Sequence, residues 1–207
     1  MNKKNVLQYL IIFMALAFLL LVLLISLRPS LAFDLRFSRE VQEHNSAFLD
    51  SLMKGISWFG YMPVPLILVG GSAVFFYLFR YKREAVFILL TLLSGLVSTL
   101  LKLLVNRPRP EASLVRILGE NAQQSFPSGH VMFYVVFFGF LSFLAYRLKN
   151  MPMTLRAGII FLSCFLVITV SVSRIYLGAH WFTDILGGYL AGFICLYLLC
   201  KMYLRGK

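Results

Sequence analysis

The chain has 207 residues, of which 60% are hydrophobic and 14% charged, and its net charge is +12. A soluble domain carries about 25% charged residues and roughly 45–50% apolar ones, so these proportions exclude an ordinary soluble core and indicate a single integral membrane domain over 1–207. The positive balance does not indicate nucleic acid, because Lys and Arg fall in short clusters between apolar runs and form no basic face or tail.

Six apolar stretches reach or approach the about 20 residues that cross a bilayer. They predict spans near 6–27, 58–79, 85–105, 129–146, 157–172 and 185–204, an all-α, six-transmembrane-helix bundle. The first stretch ends near Ser30-Leu31-Ala32, which resembles a cleavage site. Its uncharged run is longer than the ~7–15 residues of a secretory signal core, so a retained anchor is expected. Between the first two spans, Phe33, Phe37, Val41, Phe48, Leu52 and Ile56 recur at mostly helical intervals, with Asp34, Arg39, Glu43 and Asp50 between them. Two readings fit the 33–57 segment: an amphipathic helix in the outer interface beside a lipid access path, or a connecting helix packed on the bundle.

Six spans put both termini on one side. The loops there hold Lys3, Lys4, Arg80, Lys82, Arg83, Arg147, Lys149, Arg156, Lys201, Arg205 and Lys207, with Glu84 as their acid. The positive-inside rule then makes both termini cytoplasmic. Cys164, Cys195 and Cys200 lie inside apolar runs, at spacings of neither a disulfide framework nor a zinc site, and read as small buried hydrophobes. Gly188 and Gly192 in the last span allow close helix packing, within the chain or between chains, and leave the oligomeric state open.

Three polar clusters sit at the edges of the apolar runs, and the topology places all three on the outer face. The first, within 102–110, is Lys102 followed by Arg109-Pro110. Pro108 and Pro110 stop the helix, so the chain can curl and bring both cations to one anion. The second, 127–130, is Pro127-Ser128-Gly129-His130. Ser128 suits an N-cap, Gly129 permits close backbone approach, and a helix start binds phosphate through its N–H groups. The third, 173–184, is Ser173-Arg174, His180 and Asp184. Residues four apart share a helix face, so Asp184 can fix the tautomer of His180 and leave its other nitrogen nucleophilic. Taken singly, each has a plainer reading: interface anchors for the cations, a simple cap for Ser128, an outer-edge pair for His180 and Asp184. His44 matches no cluster and reads as a surface residue. Arg107 and Arg116 read as contributors to an outer positive field.

Taken in order, Lys-x6-Arg-Pro, Pro-Ser-Gly-His and Ser-Arg-x5-His-x3-Asp resemble the three-part signature of the type 2 phosphatidic acid phosphatase superfamily, matched at every position. The resemblance is closest over the second half of the chain and suits the integral membrane branch that acts on phosphatidylglycerophosphate or undecaprenyl diphosphate. It implies phosphate-ester hydrolysis through a phosphohistidine, with no metal and no cofactor. In that scheme His180 attacks phosphorus and Asp184 orients it. Lys102, Arg109, Arg174 and the Ser128–Gly129 backbone hold the phosphate oxygens. His130 protonates the leaving oxygen and then activates water.

The expected partners are a lipid phosphate and the bilayer. Candidate substrates are undecaprenyl diphosphate, phosphatidylglycerophosphate, phosphatidate and diacylglycerol diphosphate, with a slight lean to broad action on isoprenyl diphosphates and glycerophospholipid phosphates. The expected location is a bacterial inner membrane with the site facing outward. A lipid phosphotransferase using the same residues is the alternative. A non-catalytic lipid-binding or transport protein suits the chain less, because it has no need of two histidines, and a soluble haloperoxidase least.

Overall fold

The computed structural model describes residues 3–119 and 124–205. Among them every regular element is an α-helix: α1 Lys3–Leu27, α2 Ala32–Gln42, α3 Ala47–Trp58, α4 Val64–Leu78, α5 Lys82–Leu90, α6 Leu93–Val105, α7 Gly129–Arg147, α8 Met153–Tyr176 and α9 Phe182–Arg205. Of the basic residues used for orientation, Lys207 and the side chains of Lys3 and Lys4 lie outside the described residues.

Five helical stretches are long and apolar enough to cross a membrane: Asn5–Leu27, Lys82–Val105, Gly129–Arg147, Met153–Tyr176 and Phe182–Arg205. The second of these joins α5 to α6 through a tightened turn. Thr91 and Ser94 donate their hydroxyls to the carbonyls of Ile88 and Thr91 at 2.6 and 2.7 Å, and such back-bonding bends a helix. The span expected at 58–79 is shorter than its apolar run. Trp58 ends α3, and α4 begins after Pro63 with a proline in its first turn. Its 15 residues extend about 22 Å, less than the about 30 Å of a bilayer core.

α7 is the central helix, touching α5, α6, α8 and α9. Val131 to Phe138 are all buried, as a helix apolar on every side requires. Gly188 and Gly192 explain how closely α9 approaches it. A Cβ on Gly188 would sit 3.0 Å from the Ser128 carbonyl oxygen and from Val131 Cβ, and one on Gly192 would sit 3.0 Å from Val135 Cβ. The small-residue pair therefore packs within the chain. At the far end of α9, Tyr203 donates to Glu84 at the start of α5 at 2.5 Å, and Arg83 donates to the Tyr203 carbonyl. The starts of α5 and α8 and the ends of α7 and α9 therefore share one basic end. The end of α6, the start of α7, the end of α8 and the start of α9 gather at the other.

The 33–57 segment is two helices, packed on the bundle. Ser46 caps α3 by accepting from the Leu49 N–H at 3.2 Å. Phe37, Val41 and Ile56 pack on the core, while Phe33, Phe48 and Leu52 stay exposed. α2 also buries a polar stripe of Asp34, Ser38 and Gln42, one helical turn apart. Gln42 donates to the carbonyls of Arg116 and Tyr176 at 2.7 and 2.9 Å. That stripe docks α2, so its polar side faces the bundle, as a connecting helix packed on it would have it.

Candidate active site

The clusters meet because four helix ends converge. α6 ends when Asn106 adopts the left-handed conformation, φ 48°, and donates its N–H to the Lys102 carbonyl at 2.9 Å. This is the usual asparagine stop. Pro108 and Pro110 prevent the helix from resuming, and Arg109 turns back to donate to the Ala179 carbonyl at 2.6 Å. Lys102, buried in the last turn of α6, donates to the Gln124 carbonyl.

Ser128 occupies the cap position of α7 with extended backbone, but its hydroxyl makes no capping bond and has no partner. Its N–H donates to the Asp184 carbonyl at 3.0 Å, so the expected phosphate donation by the Ser128 N–H is already spent on tying α7 to α9. Gly129 lines the cavity described below. His130 stands in the first turn of α7 with its ring edge against Tyr61, centroids 4.7 Å apart. Its Nε2 has no partner. Gly60 makes the room, since a Cβ there would lie 2.2 Å from the imidazole.

Arg174 is fully buried near the end of α8 and donates to the Tyr61 hydroxyl at 2.6 Å. Its guanidinium also lies 5.2 Å from the centre of the Tyr61 ring. Ser173 faces away from the cavity: it donates to the Met53 carbonyl and shares a hydrogen bond with Ser57, each at 2.6 Å. Its role is to fasten α3 to α8.

His180 lies in the turn before α9, so the His180–Asp184 pair straddles the helix start. Nδ1 is 3.5 Å from Asp184 Oδ2, close but without hydrogen-bond geometry. Asp184 is held by three donors: Arg107 Nη1 at 2.6 Å, the Trp181 N–H at 2.8 Å and the Ser125 hydroxyl. This corrects the expectation for Arg107. It is fully buried against two carboxylates, Asp34 and Asp184, and adds nothing to an outer field. Arg116 is likewise engaged, with Asp50.

Lys102, Arg109, His130, Arg174 and His180 line one cavity of about 610 Å³. Its remaining wall is largely apolar, with Leu66 of α4, Leu92 between α5 and α6, Leu93 and Leu96 of α6, and Phe133 of α7. Asp184 lies behind His180, outside the cavity. Burial, then the charges of Arg109, Lys102 and Arg174, hold the His180 imidazole well below the ordinary histidine range. Burial, then Arg174, brings the Arg109 guanidinium down to about 10. His180 is therefore neutral at pH 7, as a nucleophile must be, while Arg109 remains a cation. Among the described residues no group of three or more His, Cys, Asp or Glu could hold a metal ion.

Reading the motifs missed Tyr61, Ser125 and Asp34. Tyr61 and Asp34 lie well before the first motif and reach the site only by folding. Ser125 precedes the second motif by two residues, with no local signal of its role.

The PAP2 superfamily matches residues 83–206, which include all three clusters. Phosphatidylglycerophosphatase B of Bacillus subtilis (strain 168) is 32% identical over 162 residues, covering 73% of this chain and 74% of that protein. The crystal structure of a transmembrane PAP2 type phosphatidylglycerolphosphate phosphatase from Bacillus subtilis superposes with a TM-score of 0.82 at 24% identity, over 95% of this chain and 97% of the other. Aquifex aeolicus LpxE superposes with a TM-score of 0.63 at 26% identity, over 84% of this chain and 98% of the other. Helices of membrane-spanning length, a signature assembled around one cavity and these likenesses agree, and the chain belongs to the PAP2 superfamily as an integral membrane protein.

Proposed function

We propose that this chain is a single-domain membrane lipid phosphatase working through a phosphohistidine. The observation that carries the reading is the two-part cavity: three cations and two histidines at one end, apolar side chains along the rest. A phosphate monoester or diphosphate on a lipid has that same division. Phosphatidylglycerophosphate is the first candidate substrate, supported by the name of the Bacillus subtilis relative. Phosphatidate, diacylglycerol diphosphate and undecaprenyl diphosphate share the same headgroup chemistry.

In this reading Lys102, Arg109 and Arg174 neutralise the phosphate oxygens, with the Gly129 backbone completing the cradle. Nδ1 of His180 faces Asp184, which leaves Nε2 to attack phosphorus. The P–O bond to the lipid breaks as His130 gives its proton to the leaving oxygen. His130 then takes a proton from water, which attacks the phosphohistidine; the P–N bond breaks and inorganic phosphate leaves. Phosphoryl transfer is mainly positioning and charge stabilisation. The three cations supply that charge, so the reaction proceeds without a metal.

The basic end, with Arg80, Lys82, Arg83, Arg147 and Arg156, belongs in the cytoplasm by the positive-inside rule. α4 then makes a short sixth crossing, both termini are cytoplasmic, and the cavity opens toward the outer face of a bacterial inner membrane.

The test is phosphate release from purified protein on the four lipids. His180→Ala and His130→Ala each abolish release while the protein keeps its detergent-solubilised elution profile, and excess EDTA leaves the wild-type rate unchanged. Full turnover by the His180 variant would remove the nucleophile assignment.

A further inference from the structure

The proposed mechanism uses Asp184 to stabilise positive charge on His180, yet Asp184 is itself ion-paired to Arg107 at 2.6 Å. A carboxylate so paired has little field left for the imidazole. The structure holds a second carboxylate that changes this. Asp34 of α2 is fully buried and accepts from Arg107 Nη2 at 2.7 Å, from the Thr183 hydroxyl at 2.7 Å and from the Thr183 N–H at 2.9 Å. Arg107 is saturated as well, with Nε and Nη2 on the Pro29 carbonyl at 3.0 and 2.9 Å and Nη1 on Thr183 Oγ1 and Asp184.

We propose that Asp34 and Arg107 are positioning residues for the reaction, and that Asp34 restores to the Asp34–Arg107–Asp184 chain the net negative charge that His180 needs behind it. Two carboxylates against one guanidinium leave the chain at minus one. Without Asp34 it is neutral. Arg107 locks Asp184 in place, and Asp34 offsets the charge that this locking introduces. Buried charges persist only when paired and fully hydrogen-bonded, which this chain satisfies. Asp34 lies outside residues 83–206, so the part of the chain that carries the family signature takes this carboxylate from the N-terminal segment.

The inference rests on the phosphohistidine reading, which wild-type phosphate release together with its loss in His180→Ala tests first. With an active wild type, Asp34→Asn lowers kcat about tenfold or more and leaves KM within about twofold, because Asp34 stands behind the nucleophile and away from the lipid. The acid limb of kcat/KM moves to lower pH. The groups around His180 are Lys102 of α6, Arg109 of the loop, His130 of α7, Arg174 of α8 and Asp184 of α9. Cations dominate them, so removing a negative charge makes His180 harder to protonate. Asp34→Asn combined with Arg107→Gln returns the chain to minus one and recovers part of the lost kcat.

A purely structural Asp34 behaves otherwise. Its replacement lowers the yield or thermal stability of folded protein while kcat and the acid limb of the folded fraction stay put, and the double variant is worse than either single. That pattern overturns the proposal. So does a folded Asp34→Asn enzyme with wild-type kcat, or a kcat loss with no movement of the acid limb.

Discussion

At the scale of single residues, the proposed chemistry turns on how two imidazoles are held in a field of cations. His180 has Asp184 on one side and the cavity on the other. Its pKa lies well below the ordinary histidine value, through burial and three neighbouring cations. The proposed mechanism requires the neutral form, which is lost only as pH falls through that depressed pKa. The acid limb of kcat/KM that His180 sets therefore lies below pH 6.5, and protonated His130, the proton donor of the proposed mechanism, sets the separate alkaline limb. A half-maximal point of the acid limb at or above 6.5 contradicts the neutral, cation-flanked His180. Tyr61 shows what the motifs leave out. It grips Arg174 through its hydroxyl and ring, and it packs against His130.

At the scale of elements, the site depends on how near α9 comes to α7. Gly188 faces the Ser128 carbonyl, which belongs to the strand of backbone that opens α7. A side chain there pushes on the proposed phosphate cradle as well as on the helix pair. Gly188→Leu overpacks this contact and lowers stability by about 1–3 kcal/mol, seen as a lower Tm in detergent with a matching loss of activity. Gly158 in α8 is the control, because a Cβ there meets nothing within 4 Å. Gly158→Ala leaves Tm unchanged or slightly raised. α2 makes a different point about elements. Its apolar spacing suggested a helix lying in the interface, but hydrogen-bonding demand decided its orientation. Asp34 meets a buried guanidinium and Gln42 the carbonyls of Arg116 and of Tyr176 at the end of α8, and an unsatisfied polar group costs more inside the bundle than an exposed Phe33 costs outside it.

At the scale of the whole molecule, antiparallel helices separate a basic end from a reactive end, and the membrane gives that separation a direction. With Cys164, Cys195 and Cys200 replaced by serine, single cysteines at Ser113, in the loop after α6, and at Lys149, between α7 and α8, report it. Both positions are exposed. In intact cells a membrane-impermeant maleimide labels the Ser113 variant and spares the Lys149 variant; the reverse pattern inverts the proposed topology. The sequence by itself determined the long apolar spans and the three clusters, since span length and local motif chemistry belong to one stretch of chain. Tertiary structure alone decided that α4 falls short of its apolar run, that Gly188 and Gly192 serve the chain's own packing, and that Arg107 is locked between Asp34 and Asp184. Those three charges come from separate segments, and a pairing across such distances leaves no local pattern to read. It exists only because folding removes them from solvent together, where a buried charge needs an opposite one beside it.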